Sequence, residues 1–291
     1  MASAPRSLNG KVVAITGGGR GLGRAIAVAL AAEGARVAIG DLDRAAAERV
    51  AADLGGHALA LELDVTDHDR FSAFLDAVEA RLGPLDVLIN NAGIMVVTPL
   101  PEESPASVAR QLELNLHAVI HGTQEAMRRM VPRGTGHIVN MSSLAGRSGF
   151  AMLGTYAATK HGVVGLSEAA RAELRGSGVE VSVVMPYFAR TELAAGVPDV
   201  RVLPRLAPDA VAAEVVAALK RPRFDVYVPR WIGPLFKVGQ ALPRRVRDAI
   251  EHAFRAHEAL LDTDRAARSV YEARAAASAP AGRGERTGKA A

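Results

Sequence analysis

The stretch Lys11-Val-Val-Ala-Ile-Thr16-Gly17-Gly18-Gly19-Arg20-Gly21-Leu22-Gly23-Arg24-Ala-Ile-Ala-Val-Ala-Leu-Ala-Ala-Glu33 decides the fold. Its first six residues read as a short buried strand, and the run from Arg24 reads as a helix that Gly34 ends. The glycine-rich turn between them lets backbone N–H groups approach a pyrophosphate, and the helix N-terminus adds a favourable dipole. A second strand, Ala35-Arg-Val-Ala-Ile-Gly40, ends at Asp41. That is close to the offset of about 20 residues at which a dinucleotide-binding unit carries its ribose-binding carboxylate.

The alternation continues along the chain. Apolar runs at Ala58–Leu63, Leu85–Ile89, His137–Met141, Val179–Met185 and Phe224–Val228 read as strands, and Asp67–Leu82, Ser104–Met130, Thr155–Arg175 and Pro208–Lys220 read as helices. This predicts an α/β fold, a doubly wound, mostly parallel sheet of about seven strands (Rossmann-like) flanked by helices. Residues 1–9 read as a flexible N-terminus, 10–230 as the Rossmann-fold catalytic domain, 231–277 as a helical C-terminal extension and 278–291 as a disordered tail.

Composition sets limits. At 291 residues and 49% apolar, the chain can bury one substantial core. It contains no cysteine, which removes disulfides, thiolate nucleophiles and cysteine metal sites, and no metal site is read. A net charge of +4, partly from arginines in the tail, gives no ground for nucleic-acid binding. The first ten residues lack an apolar signal core, and no run reaches the roughly 18 apolar residues of a membrane span. A cytoplasmic location is the expectation.

Tyr156 and Lys160 lie four apart, on one face of a predicted helix and about 6 Å from each other. A phenol ordinarily ionises near pH ~10, and an ammonium nearby supplies about the 4 kcal/mol needed to bring it toward neutrality. The pair reads as a proton-transfer group, with Ser143 thirteen residues upstream to hold the reacting oxygen.

With these pieces in order, the chain resembles the short-chain dehydrogenase/reductase family, in its compact single-domain branch, over roughly residues 10 to 230. Thr16-Gly17 through Gly21-Leu22-Gly23 matches the family's Thr-Gly-x-x-x-Gly-x-Gly. Asn90-Asn91-Ala92-Gly93 matches its Asn-Asn-Ala-Gly, Asn115 its catalytic asparagine, and Ser143, Tyr156 and Lys160 the rest of its catalytic set. Pro186 and Thr191 match the loop that holds the nicotinamide amide, and Asp64-Val65 resembles the pair that meets the adenine. The resemblance implies a hydride-transferring NAD(P)-dependent oxidoreductase acting on CH–OH groups. Tyr156 would be the general acid/base and Ser143 would bind the reacting oxygen. Lys160 would bind the nicotinamide ribose and stabilise the phenolate, and Asn115 would hold a water linking Lys160 to solvent. Asp41 favours NAD over NADP, because a carboxylate there accepts the ribose hydroxyls and repels a 2′-phosphate; Arg20 and Arg44 argue the other way. The offset to Tyr156 favours Ser143 over Ser142. The alternative is a non-catalytic dinucleotide-binding sensor or scaffold on the same fold, against which the intact catalytic positions count.

By family position, Ile94, Met95, Val96, Leu144, Ala145, Phe150, Met152, Leu153, Tyr187 and Phe188 line the substrate pocket, which implies a small lipophilic substrate, either a secondary alcohol or ketone or a long-chain or prenyl-type primary alcohol. Tyr187 stands where the family usually has glycine and reads as a specificity residue. The extension is apolar with scattered basic residues over Trp231–Leu242, then helical over Pro243–Leu261 and again over Asp264–Ala277. Its first two segments read as a lid or packing arm over the substrate mouth, or as a peripheral membrane contact. Relatives pair long helices into dimers, which implies a homo-oligomer.

Overall fold

A computed structural model describes residues 4–198, 205–246 and 260–277. Seven parallel strands form one sheet: β1 Val12–Thr16, β2 Arg36–Asp41, β3 Ala58–Glu62, β4 Val87–Asn90, β5 Gly136–Met141, β6 Val179–Pro186 and β7 Asp225–Val228, in the order β3-β2-β1-β4-β5-β6-β7. Strand order reverses between β1 and β4, so the loops at their carboxyl ends diverge and open a crevice. Valine and isoleucine dominate strands buried on both faces, as the helical cover of a parallel sheet requires.

The covering helices are α1 Gly21–Ala32, α2 Arg44–Leu54, α3 His68–Leu82, α4 Pro105–Leu112, α5 Ala118–Met130, α6 Gly154–Glu173, α7 Pro208–Lys220, α8 Ile232–Ala241 and α9 Arg265–Ala277. Ile26 and Leu30 of α1 and Val211 and Val215 of α7 pack with β1 and β2 in one core; Phe71 and Leu75 of α3 and Ala126 of α5 pack in the core on the other face.

Two elements differ from expectation. Helix α2 has no counterpart among the expected helices. Its sequence, Arg44-Ala-Ala-Ala-Glu-Arg-Val, is alanine-rich rather than apolar at helical spacing, but Asp43 caps it by accepting the Ala46 N–H at 2.9 Å. The single helix expected over Ser104–Met130 is divided. A five-residue π turn, Glu113–His117, separates α4 from α5 and carries Asn115 into the interior. Such turns widen the helix by one residue and often mark functional positions.

Beyond β7 the chain folds back. Helix α8 docks Ile232 and Phe236 beside Tyr227 and leaves Trp231, Leu235 and Val238 exposed. The helix expected over Pro243–Leu261 falls mainly on residues 247–259, outside the described residues. Leu260 is buried with Met95, Leu153 and Tyr156, and Asp264 N donates to Gly196 O at 2.8 Å. Helix α9 then crosses the open crevice. Its Arg268 is 0% exposed, the largest fully buried side chain among the described residues. The guanidinium donates to Leu193 O and Ala195 O, each at 3.0 Å, and to Met95 O. One residue thereby ties the loop after β4 to the loop after β6.

His137, in β5, is 4% exposed and hydrogen-bonded to Ser182 Oγ at 2.8 Å. Burial pulls its pKa down to about 3. The folded state therefore holds it neutral, while the unfolded chain protonates it below pH ~6.5. Its contribution is complete above that pH and is lost as the pH falls. Urea unfolding at about pH 7.5 and about pH 5.5 is expected to show wild type losing about 1.4 kcal/mol more than His137→Gln. Equal losses would contradict the assignment.

Candidate active site

The crevice at the carboxyl ends of β1, β4, β5 and β6 encloses a cavity of about 510 Å³. Its floor at the β1 end is glycine for steric reasons. Gly17 adopts φ +66°, and a Cβ there would sit 2.9 Å from Ala92 Cα; a Cβ on Gly23 would sit 2.2 Å from Gly17 O. No side chain caps α1 at Arg20, so its first backbone N–H groups face the crevice. The loop after β4 is tied to this floor. Asn91 Nδ2 donates to Thr16 O (2.9 Å) and Gly17 O (3.0 Å), and Thr16 Oγ1 accepts the N–H groups of Asn91 and Ala92.

Asp41 closes the β2 side. Its Oδ2 accepts Gly19 N–H at 2.9 Å and its Oδ1 accepts Asp43 N–H at 3.0 Å, which aims the carboxylate across the glycine loop. The two basic residues nearby are both paired: Arg20 with Asp43, whose carboxyl the Ala46 N–H holds below its usual value, and Arg44 with Glu48 at 2.7 Å.

At the other end stand the polar groups expected for proton transfer. Tyr156 and Lys160 project from one face of α6, with Lys160 Nζ 5.7 Å from the Tyr156 ring centre. Ser143 lines the cavity beside Tyr156; its hydroxyl donates to Pro186 O at 3.5 Å and accepts Ala145 N–H at 3.1 Å. Ser142 is committed elsewhere, donating to Lys160 O at 2.9 Å, so its hydroxyl holds the strand to the helix. Burial raises the Tyr156 phenol above its ordinary value, with the nearby Ser143 hydroxyl opposing. Burial pulls Lys160 down to about 8, and its ammonium donates to Met141 O at 2.9 Å. The acidifying effect expected of Lys160 is thus outweighed by desolvation, and the ammonium is engaged with a backbone carbonyl.

Asn115 differs from expectation in a second way. Its Oδ1 accepts Ile94 N–H at 2.8 Å, and its Nδ2 donates to Ile94 O at 2.8 Å and to Thr159 Oγ1 at 3.3 Å. Both ends of the amide bond protein, so the side chain clamps the loop after Gly93 against α6.

All the residues expected to bind a dinucleotide line the cavity: Gly17, Arg20, Gly21, Leu22, Gly23, Asp41, Asp64, Val65, Asn91, Ala92, Gly93, Tyr156, Lys160, Pro186 and Thr191. Asn115 lies behind them. Of the expected substrate-pocket residues, Ile94, Met95, Leu144, Ala145, Phe150, Leu153, Tyr187 and Phe188 reach the cavity. Val96 and Met152 do not. Met152 sits at φ +69°, a strained region for a side chain, and its carbonyl accepts Thr98 N–H at 3.0 Å. Tyr187 has no positive φ, so the loop accommodates it without glycine's freedom; its ring packs edge-on against Phe188 at 5.2 Å. Sequence reasoning missed Glu192, Tyr271, Arg274 and Ala275, which also line the cavity. For α9 a signal was available: Arg268, Tyr271 and Ala275 recur at i, i+3 and i+7, one face of a helix.

The dinucleotide fits this donor set: the uncapped N-terminus of α1 at Gly21–Gly23 suits a pyrophosphate, and Asp41 suits a ribose diol. Comparison with known proteins agrees with the geometry. The short chain dehydrogenase family profile matches residues 11–201. A cis-4-hydroxycyclohexanecarboxylate dehydrogenase of Sinomonas cyclohexanicum is 40% identical over 220 residues, covering 72% of this chain and 88% of that one. A sorbitol dehydrogenase of Cereibacter sphaeroides is 39% identical over 180 residues, 62% of this chain and 70% of that one. Among solved structures, a short chain dehydrogenase/reductase from Burkholderia phymatum in complex with NAD superposes with a TM-score of 0.75 at 27% identity, over 81% of this chain and 95% of that one. A 3-ketoacyl-(acyl-carrier-protein) reductase from Brucella melitensis complexed with NADH gives 0.70 at 30%, over 76% and 98%. With the glycine floor, the clamped loop and the serine–tyrosine–lysine cluster in one crevice, this chain belongs to the short chain dehydrogenase family of oxidoreductases.

Proposed function

We propose that the protein is an NAD-dependent dehydrogenase or reductase acting on an uncharged, lipophilic secondary alcohol or ketone, with Tyr156 as general acid/base. The observation that carries this reading is the gathering of Ser143, Tyr156 and Lys160 along one wall of a dinucleotide-shaped crevice. When bound, the nicotinamide supplies the hydride acceptor or donor and, in its oxidised form, a positive charge. Tyr156 takes the substrate hydroxyl proton during oxidation and returns it during reduction. Ser143 hydrogen-bonds the same oxygen. Lys160 has three N–H donors, one of them engaged with Met141, which leaves two for the ribose hydroxyls. Asn115 positions rather than relays, by fixing the loop after Gly93 to α6.

Cofactor choice rests on Asp41. A 2′-phosphate would meet its carboxylate, and Arg20 and Arg44, the cations that would offset that repulsion, are already ion-paired. The two superposed structures hold NAD and NADH, which supports the same choice.

The substrate reading rests on the cavity wall. Leu144, Ala145, Phe150, Leu153 and Phe188 are apolar, and the cations that reach the cavity have partners: Arg20 with Asp43, Arg274 with Glu192, Lys160 with Met141 O. An acidic substrate would have to displace Asp43 or Glu192 to reach either arginine. The relatives are named for sorbitol and cis-4-hydroxycyclohexanecarboxylate, both of which carry a secondary carbinol.

A screen of alcohols of graded lipophilicity with NAD, read by absorbance of the reduced cofactor, is expected to show kcat/KM rising with apolar bulk; turnover confined to charged sugars would overturn the substrate reading. Tyr156→Phe is expected to lower kcat by about 10³-fold with the fold intact by circular dichroism. Activity within tenfold of wild type would contradict the acid/base role of Tyr156, whereas a wild type that binds NAD and turns over none of the alcohols would favour the sensor or scaffold reading. Wild type is expected to prefer NAD over NADP, and Asp41→Ser to shrink that preference by about tenfold or more. An NADP preference in wild type would contradict the role given to Asp41.

A further inference from the structure

Helix α9 lies beyond residues 11–201, the span matched by the family profile. Arg268 fixes it in place. Its three backbone acceptors belong to both lips of the crevice, and its guanidinium stacks 4.8 Å from the Tyr271 ring centre. The Tyr271 ring is held in turn by Met95, whose N–H donates to the phenol oxygen at 2.8 Å.

That bond uses a lone pair of Tyr271 and leaves its proton. Among the described residues no acceptor meets it. The ring lines the same cavity as Ser143 and Tyr156, and the two phenols are near enough for charge on one to raise the pKa of the other. A partly buried hydroxyl whose proton meets no acceptor among the described residues, facing a cavity whose remaining wall is largely apolar, selects a ligand that brings an oxygen to it.

We propose that Tyr271 is a substrate-binding residue whose hydroxyl donates to a second oxygen of the substrate, beside the carbinol or carbonyl that reacts at Tyr156. The substrate class is then an oxygenated lipophile, such as a hydroxy ester or hydroxy ketone, rather than a plain alkanol. This rests on the oxidoreductase reading above.

The test compares two alcohols of matched shape, ethyl 3-hydroxyhexanoate and 4-nonanol, with the full chain and NAD. Wild type is expected to favour the hydroxy ester by about tenfold in kcat/KM, the discrimination one hydrogen bond supplies. Tyr271→Phe is expected to abolish that preference, raising KM for the ester about tenfold more than it raises KM for 4-nonanol. Absence of the preference in wild type overturns the proposal whether or not the variant folds, and so does its survival in a folded variant. Binding of ethyl 3-oxohexanoate and 4-nonanone to the NADH complex, read by quenching of NADH fluorescence, separates this idea from the reaction itself. If neither alcohol is oxidised but the keto ester binds about tenfold tighter in wild type alone, Tyr271 stands and the proposed reaction falls. Equal affinities, or no binding by either ketone, overturn it.

Discussion

Two groups that each lose by burial, a phenol and an ammonium, are held one helical turn apart at the closed end of the crevice. Tyr156 and Lys160 are 7% and 5% exposed, and no carboxylate is bonded to either. Burial drives the phenol toward its neutral form and draws the ammonium down to about 8. Both groups are therefore sensitive to any charge placed beside them, because a dry site weakens screening. In its present arrangement the pair is not a base near neutrality. The proposed function requires it to become one when further positive charge and new partners for Lys160 enter the site.

The rest of the molecule serves to keep that pair addressable. The glycine floor holds space that any Cβ at Gly17 or Gly23 would take. Thr16 and Asn91 fasten the β4 loop to the β1 loop, and Asn115 fastens the next residues to α6 through a π turn. From outside, α9 closes the gap with Arg268. Burying a guanidinium is costly unless its donors are used, and here the carbonyls of Met95, Leu193 and Ala195, together with Glu272 at 3.0 Å, use them. The same side chain that satisfies its own burial fixes the width of the crevice.

Much of this was legible in the residues, and the exceptions have physical causes. The seven strands announced themselves as apolar runs because a covered parallel sheet buries both faces. The glycine spacing and Asp41 were legible because backbone approach to phosphate tolerates few residue types. Helix α2 escaped because its small alanines carry a weak apolar rhythm, and its clearest signal was the single cap at Asp43. The π turn escaped because it disturbs no propensity: Glu113-Leu-Asn-Leu-His117 reads as ordinary helix. The return of α9 escaped because it depends on pairings across more than 170 positions, such as Arg268 with Met95, and an arginine in an alanine-rich helix reads as a surface residue.

The central claim is that the Tyr156 phenol, unfavourable as a base in the protein alone, becomes one when the dinucleotide is in place. Difference absorbance near 295 nm follows phenolate formation, and the chain has only four tyrosines to resolve. Titrating the full chain with and without NAD, beside Tyr156→Phe, measures the claim directly. The account predicts one phenolate appearing at least about 2 pH units lower with NAD, present in wild type and absent from the variant. A wild-type titration that NAD leaves unchanged would contradict it.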